Sequence, residues 1–308
     1  MHPAFSVIFF TVMSGLGYGL WGLVGWRVML GHDTPRGVAL AALGIGAVLV
    51  TVGLCSSLLH LGQPQRAWRA FSQWRTSWLS REGVCAVLSF APALILAWLL
   101  WHGGAPVAAR WVALAVVVMA IATTVCTAMI YASLKPIPAW RHPSVPWAYL
   151  FLAGYTGGLA LAAMRALAGG HMDNDVAMLG IVAAVLLWPL KRGYWRDIDK
   201  PLPLPRAAAL GLPRDRSVHV FERPHTEANY LTKEMGYVLA RRHATKLRTL
   251  AIFLLCIVPI VALMPAWLFV HLDVAPFLSV AALSALLGAF VERWLFFAEA
   301  RHLVTLYY

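Results

Sequence analysis

Charged side chains are scarce in this sequence of 308 residues: Asp, Glu, Lys and Arg make up 12% of it, against about a quarter in soluble domains. With 60% hydrophobic residues and a mean hydropathy of +0.71, the chain cannot cover a folded surface with polar groups, and the surplus apolar surface requires lipid. Acid is scarcer than base, with 13 Asp and Glu to 25 Lys and Arg and a net charge of +12. In a soluble protein that excess suggests nucleic acid. Here the charges fall between apolar runs, where Lys and Arg mark cytoplasmic loops, so no nucleic-acid partner is expected. Only four cysteines occur (Cys55, Cys85, Cys126 and Cys256), each inside an apolar run and none in a CxxC pair. That argues against an iron–sulfur or zinc site in this chain and reads the thiols as small buried hydrophobes. The first basic residue is Arg27, after the first apolar run, and no twin arginine precedes it. A cleavable signal peptide is not expected, because its basic leading region is missing.

What the sequence has in quantity is long uncharged runs, at 4–26, 37–59, 83–102, 111–134, 146–164, 176–190, 249–270 and 274–291. A membrane-spanning helix needs about 20 such residues. The pattern predicts an all-α polytopic membrane protein, a bundle of eight transmembrane helices forming one domain over 1–308. The sixth run is short and spans only if Asp175 and Lys191 snorkel at its ends. Charge supports it: with eight spans, 21 of the 25 Lys and Arg fall on one face, and Arg27, Arg36, Arg110 and Arg165 on the other. The rich face is then cytoplasmic, with both termini on that side of the inner (cytoplasmic) membrane. The longest connection, 191–248, carries thirteen Lys and Arg. It reads as a cytoplasmic loop with a Pro-rich first half and, around TEANYLTKEMGYVLARRHATKL, a short surface helix. No internal duplication is visible.

Candidate chemistry concentrates between the second and third spans, in SSLLHLGQPQRAWRAFSQWRTSWLSREGVCAV. His60 ends one helix and Glu82 opens the next. Arg66, Trp68 and Trp74 lie between them, as ordinary headgroup-level residues or as the rim of a site. An ionisable residue at the end of an apolar helix is a functional candidate. Histidine titrates near neutral pH and burial favours the protonated form of a carboxyl. Quinone chemistry needs such groups, because each quinone/quinol conversion moves two protons with two electrons. The plainer alternative, equally open on residue type, has His60 capping carbonyls and Glu82 paired with an arginine. A second cluster, AFVERWLFFAEARH, holds Glu292, Arg293 and Glu299. It reads as an internal ion pair or as a site-lining Arg293. Tyr131, near the end of the fourth span, is a third candidate, otherwise a headgroup-level aromatic. Haem is not expected: bis-His ligation needs facing histidines within the bundle, and only His60, His102, His271 and His302 lie at span ends, none mid-span.

At this point the sequence resembles the DMSO reductase anchor subunit (DmsC) family. The resemblance covers most of the chain and rests on LLHLGQPQRAW at 58–68, LSREG at 79–83, Tyr131-x-Ser133 with Pro138-x-Trp140, and Arg293-x-x-Phe296. It implies a haem-free anchor that exchanges electrons with the quinone pool, either ubiquinone or menaquinone. It also implies an iron–sulfur subunit and a molybdenum catalytic subunit as partners, which hold the clusters and the molybdopterin. The family's quinol-site histidine and glutamate fall on His60 and Glu82, and Ser80 of LSREG joins the candidate site. FERPHTEANYLTKEMGY, in the long loop, resembles the branch that anchors sulfite dehydrogenases. That branch implies partners on the cytoplasmic face, sulfite oxidation and quinone reduction. The expectation is therefore a non-catalytic subunit of an oxidoreductase, with the anchor of a DMSO- or tetrathionate-type reductase oxidising menaquinol as the alternative. A secondary transporter fits less well, since it needs polar groups at mid-membrane, and only Thr123, Thr124 and the GYTGG run at 154–158 supply any.

Overall fold

The computed structural model describes residues 4–59, 62–103, 106–169, 174–200, 205–219, 221–222, 243–269 and 273–306. Eight helices are long and apolar enough to cross a membrane: α1 (Phe5–Leu30), α2 (Arg36–Leu58), α3 (Trp78–His102), α4 (Pro106–Ala132), α5 (Ser144–Leu167), α6 (Asn174–Ile198), α7 (Ala244–Ile252, Phe253–Ile257 and Val258–Leu268 in continuation) and α8 (Ala275–Ala298). No strand occurs among the described residues. Lipid explains the outer surface: Val48, Leu94 and Leu283 are more than half exposed on helices whose other faces are packed. Cys126 and Cys256 are buried as expected, but Cys55 is exposed and Cys85 half-buried. An apolar run does not reveal which of its faces meets lipid.

The helices divide into two four-helix units, α1–α4 and α5–α8. Their pairings repeat: α1 with α2 and α5 with α6; α3 with α4 and α7 with α8; α1 with α4 and α5 with α8. The units meet chiefly along α1 and α5, flanked by α4 on α5 and α8 on α1. Each has its own apolar core, and Ile8, Val12, Ala128 and Tyr131 reach from the first unit into the second. Small residues permit the meeting. A Cβ at Gly19 would run into the Ala153 carbonyl, and one at Gly157 into the backbone of Gly19. In lipid such close backbone approach substitutes for the hydrophobic drive that water supplies. Part of the GYTGG run thus serves a helix crossing.

Proline shapes α7. Pro259 has no N–H to offer the Leu255 carbonyl four residues earlier, and the chain forms a π-turn over Phe253–Ile257 just before it. The Tyr155 hydroxyl donates to the Leu255 carbonyl at 2.8 Å, and the Ser284 hydroxyl to the Leu254 carbonyl at 2.8 Å. Backbone that leaves the α-helical ladder within a membrane requires such partners.

The sixth span differs from expectation. It continues to Ile198, and Lys191 does not snorkel: its ammonium is buried and bonded to Glu292 of α8. A partner inside the bundle removes the need to reach the headgroups. The following connection begins beyond Ile198 and, among the described residues, has a helical turn at Arg206–Ala209 in its Pro-rich half. Residues 226–242, most of the expected surface helix, lie outside the described residues.

Candidate functional site

The end of the bundle that carries the connection 59–77, the connection 133–143 and the tail after α8 is rich in arginine. Here Pro64–Gln73 forms a 3₁₀ segment lying over the start of α3. The buried Ser80 hydroxyl donates to the Ala70 carbonyl and fastens the segment. Gly83 leaves room for the Phe71 ring, which a Cβ would meet at 3.2 Å. Arg66, Trp68 and Trp74 are exposed on the outer side of this cover. Arg81 turns back along it, donating to the carbonyls of Trp74 (3.0 Å) and Arg75 (2.6 Å) while stacking on Trp78.

Two residues beyond Ser80 lies Glu82, in the second turn of α3 and 5% exposed. Among the described residues its buried Oε1 has no hydrogen-bond partner, and no Lys or Arg pairs with it. The plainer expectation, Glu82 neutralised by a loop arginine, is therefore not realised among these residues. Arg69 and Arg75 lie over the Trp68 and Trp74 rings, and Arg81 bonds backbone carbonyls instead. His60 lies outside the described residues.

Tyr131, at the end of α4, is buried, which corrects its reading as a headgroup-level aromatic. Its ring meets Trp140 edge-on at 5.4 Å, Phe296 at 5.8 Å and Phe297 at 5.1 Å, and stacks on Tyr149 at 6.1 Å. The Trp140 indole donates to the Phe296 carbonyl at 3.0 Å. Residues of two separate sequence motifs, Tyr131 with Trp140 and Arg293 with Phe296, thus converge on one aromatic box. Tyr131 lies within electrostatic reach of both Glu82 of the first unit and Arg293 of the second.

Arg293 is both an ion-pair member and a lining residue. Its guanidinium lies 3.6 Å over the Tyr149 ring and 3.3 Å from Glu292 Oε2. It also borders a cavity of about 20 Å³ where α1, α4, α5 and α8 meet, with Thr11, Ser14, Tyr18, Thr124, Thr127 and Thr156 on the other walls. That volume suits one water and falls far below the several hundred Å³ that a ring-sized ligand needs. Each of the five Ser and Thr hydroxyls donates to its own helix backbone, which leaves acceptor lone pairs available to the cavity. Thr124, one of the mid-span polar points, is accounted for here. The buried Tyr18 and Tyr149 hydroxyls lack hydrogen-bond partners among the described residues. Sequence reading passed over both tyrosines, since nothing in an apolar run distinguishes a tyrosine that faces a helix junction.

Farther along the same end, Arg248 of α7 links two acids that lie just beyond the spans. It donates to Asp199 at 2.6 and 2.8 Å and to Glu299 at 2.9 Å. This fork of hydrogen bonds holds the Asp199 carboxyl below its ordinary range. Burial pushes Glu299 up, against the pull of Arg248.

The family model described as "DMSO reductase anchor subunit (DmsC)" matches residues 1–298. The chain belongs to the DMSO reductase anchor subunit family. It is also similar to a sulfite dehydrogenase subunit of Allochromatium vinosum, with 31% identity over 331 aligned positions that cover 100% of this chain and 99% of that protein. As a DmsC-family protein it is an anchor subunit of an oxidoreductase complex and a multi-pass membrane protein. The residues that carry the sequence resemblance and fall among the described ones gather at the arginine-rich end.

Proposed function

We propose that this anchor exchanges electrons between a docked iron–sulfur subunit and quinone at the arginine-rich end, with Glu82 as the proton-handling group. The observation that carries the reading is the buried Glu82 carboxyl, whose Oε1 has no hydrogen-bond partner among the described residues, two residues from the Ser80 hydroxyl that fastens the Pro64–Gln73 segment to α3. A buried polar atom without a partner calls for an explanation, and a quinone oxygen that accepts or returns a proton supplies one. His60, Tyr131 and Arg293 complete the site in this reading, with Arg66, Trp68 and Trp74 at its rim. Reduction of one quinone consumes two electrons from the partner's cluster and two protons, which Glu82 relays from the water side. The arginine-rich end is cytoplasmic by the excess of Lys and Arg there, and both soluble partners dock on it.

The direction of electron flow follows the relative named for sulfite dehydrogenase: sulfite supplies the electrons and quinone receives them. The family description names a reductase, which favours the opposite direction, with menaquinol as donor. Sulfite-dependent reduction of added quinone by the assembled complex separates the two.

The site is tested by Glu82→Gln in the intact complex. Oxidation of the partner's reduced cluster by added quinone is expected to slow by about 10²-fold or more, the usual scale for losing a positioned acid–base group, while the subunits stay assembled. A rate equal to that of the parent complex removes Glu82 from the site.

A further inference from the structure

A larger cavity lies at the other end of the bundle, away from Glu82. It is a groove of about 620 Å³ between α1, α5, α6 and α7, within the 300–1,000 Å³ range of ligand sites. Its walls are apolar, from Leu23 and Trp26 of α1 through Phe151 of α5 to Leu179 of α6 and Leu263 of α7. Trp26 and Leu179 are exposed, so the groove opens sideways to lipid. Gly154 and Gly158 of α5 keep its floor low, and a Cβ at Gly154 would meet nothing within 4 Å.

The mouth is basic. Arg27, His32 and Arg165 line it, at the end of the bundle that receives only four of the 25 Lys and Arg. Two of those four converge on this one opening. Arg27, in the last turn of α1, is held by the connection that follows, donating to the Thr34 hydroxyl at 2.8 Å and to the Asp33 carbonyl at 2.5 Å. Arg165, in the last turn of α5, keeps a buried Nε with no hydrogen-bond partner among the described residues. Asp33, beside His32 in sequence, is exposed.

We infer that the groove holds one anionic phospholipid, its phosphate between Arg27 and Arg165 and an acyl chain along α5. The dimensions fit. From Arg165 to Leu150 the groove descends about 22 Å along the helix at 1.5 Å per residue, more than one leaflet of a hydrocarbon core about 30 Å thick. Two guanidinium groups favour a phosphate, for which their planar forks are suited, whereas a neutral quinone gains nothing from them. The apolar walls exclude free phosphate as sole occupant. The lipid would seal the seam between the two helical units.

The test uses the assembled complex in detergent, with added phosphatidylglycerol and phosphatidylcholine and bound lipid measured by native mass spectrometry. Phosphatidylglycerol is expected to bind in preference and to displace retained phospholipid. Arg165→Gln should weaken it by about fivefold, the effect of one basic residue near a membrane surface. Gly154→Phe fills the floor and should release it. Competition on the unmodified complex keeps the test decisive should either variant misfold. Equal binding of phosphatidylcholine, indifference to both substitutions, or a quinone in place of phospholipid that Gly154→Phe releases would each overturn the inference. Glu82→Gln is expected to leave lipid retention unchanged, so this site stands or falls apart from the quinone site.

Discussion

Removing the carboxylate of Glu292 should harm the protein more than removing its partner Lys191. The two sit in one buried cluster with Arg293, and the side chains of Lys191, Glu292 and Arg293 are 3%, 0% and 4% exposed. Two cations therefore share one anion. At 3.3 Å the Arg293–Glu292 attraction amounts to about 5 kcal/mol at an effective dielectric constant of about 20, much of it offset by desolvation. Glu292→Gln strands both cations and should cost about 3–5 kcal/mol, as breaking buried pairs does. Lys191→Met leaves a one-to-one pair, with Arg293 still stacked on Tyr149, and should cost about 1–2 kcal/mol, within the usual range for single substitutions. Heating in detergent with a thiol-reactive dye follows the exposure of the buried Cys126 and Cys256, once the exposed Cys55 and half-buried Cys85 are replaced by Ala. At about 2 °C per kcal/mol for a chain of this size, Glu292→Gln should lower the midpoint by about 6–10 °C. Equal losses from the two variants, or a larger one from Lys191→Met, would refute the two-to-one charge argument.

The crossing of α1 and α5 should not tolerate a methyl group. Gly19→Ala drives a Cβ into the Ala153 carbonyl and should cost about 1–3 kcal/mol or more by overpacking, whereas Gly154→Ala, whose Cβ meets open space, should be neutral; the same thermal assay compares them. Tyr155→Phe removes the donor to the Leu255 carbonyl and should cost about 1–2 kcal/mol, with faster amide exchange around the π-turn. Asp199→Asn should lower stability at pH 7 by no more than about 1 kcal/mol, because the Asp199 side chain is 57% exposed. As its carboxyl is held below the ordinary 3.8, that contribution is full above this value and lost as the pH falls through the lower folded one. Midpoints of parent and variant, measured from pH 7 to 3, should differ by a constant amount and converge only below about 3.8.

The number of spans and the gathering of arginines at one end were legible in the sequence, because both follow from local composition: a run of apolar residues is a span wherever it packs, and alternation assigns each loop to an end. Glu82 stood out for the same reason, as an acid at the mouth of an apolar helix. What the sequence withheld depends on contacts between distant segments. Lys191 reads as a snorkelling terminus until α8 brings Glu292 beside it. Tyr131 reads as a headgroup aromatic until Trp140, Tyr149 and Phe296 close around it. The repeated pairing of the two four-helix units leaves no duplicated residues, because helix packing in lipid asks for small and complementary surfaces, which many sequences satisfy. Composition thus determined that this chain crosses a membrane, how often, and which end carries the charge. Only tertiary structure decided that, among the described residues, Glu82 is left without a cation while Glu292 has two: charge count is a property of the chain, but pairing is a property of the contacts.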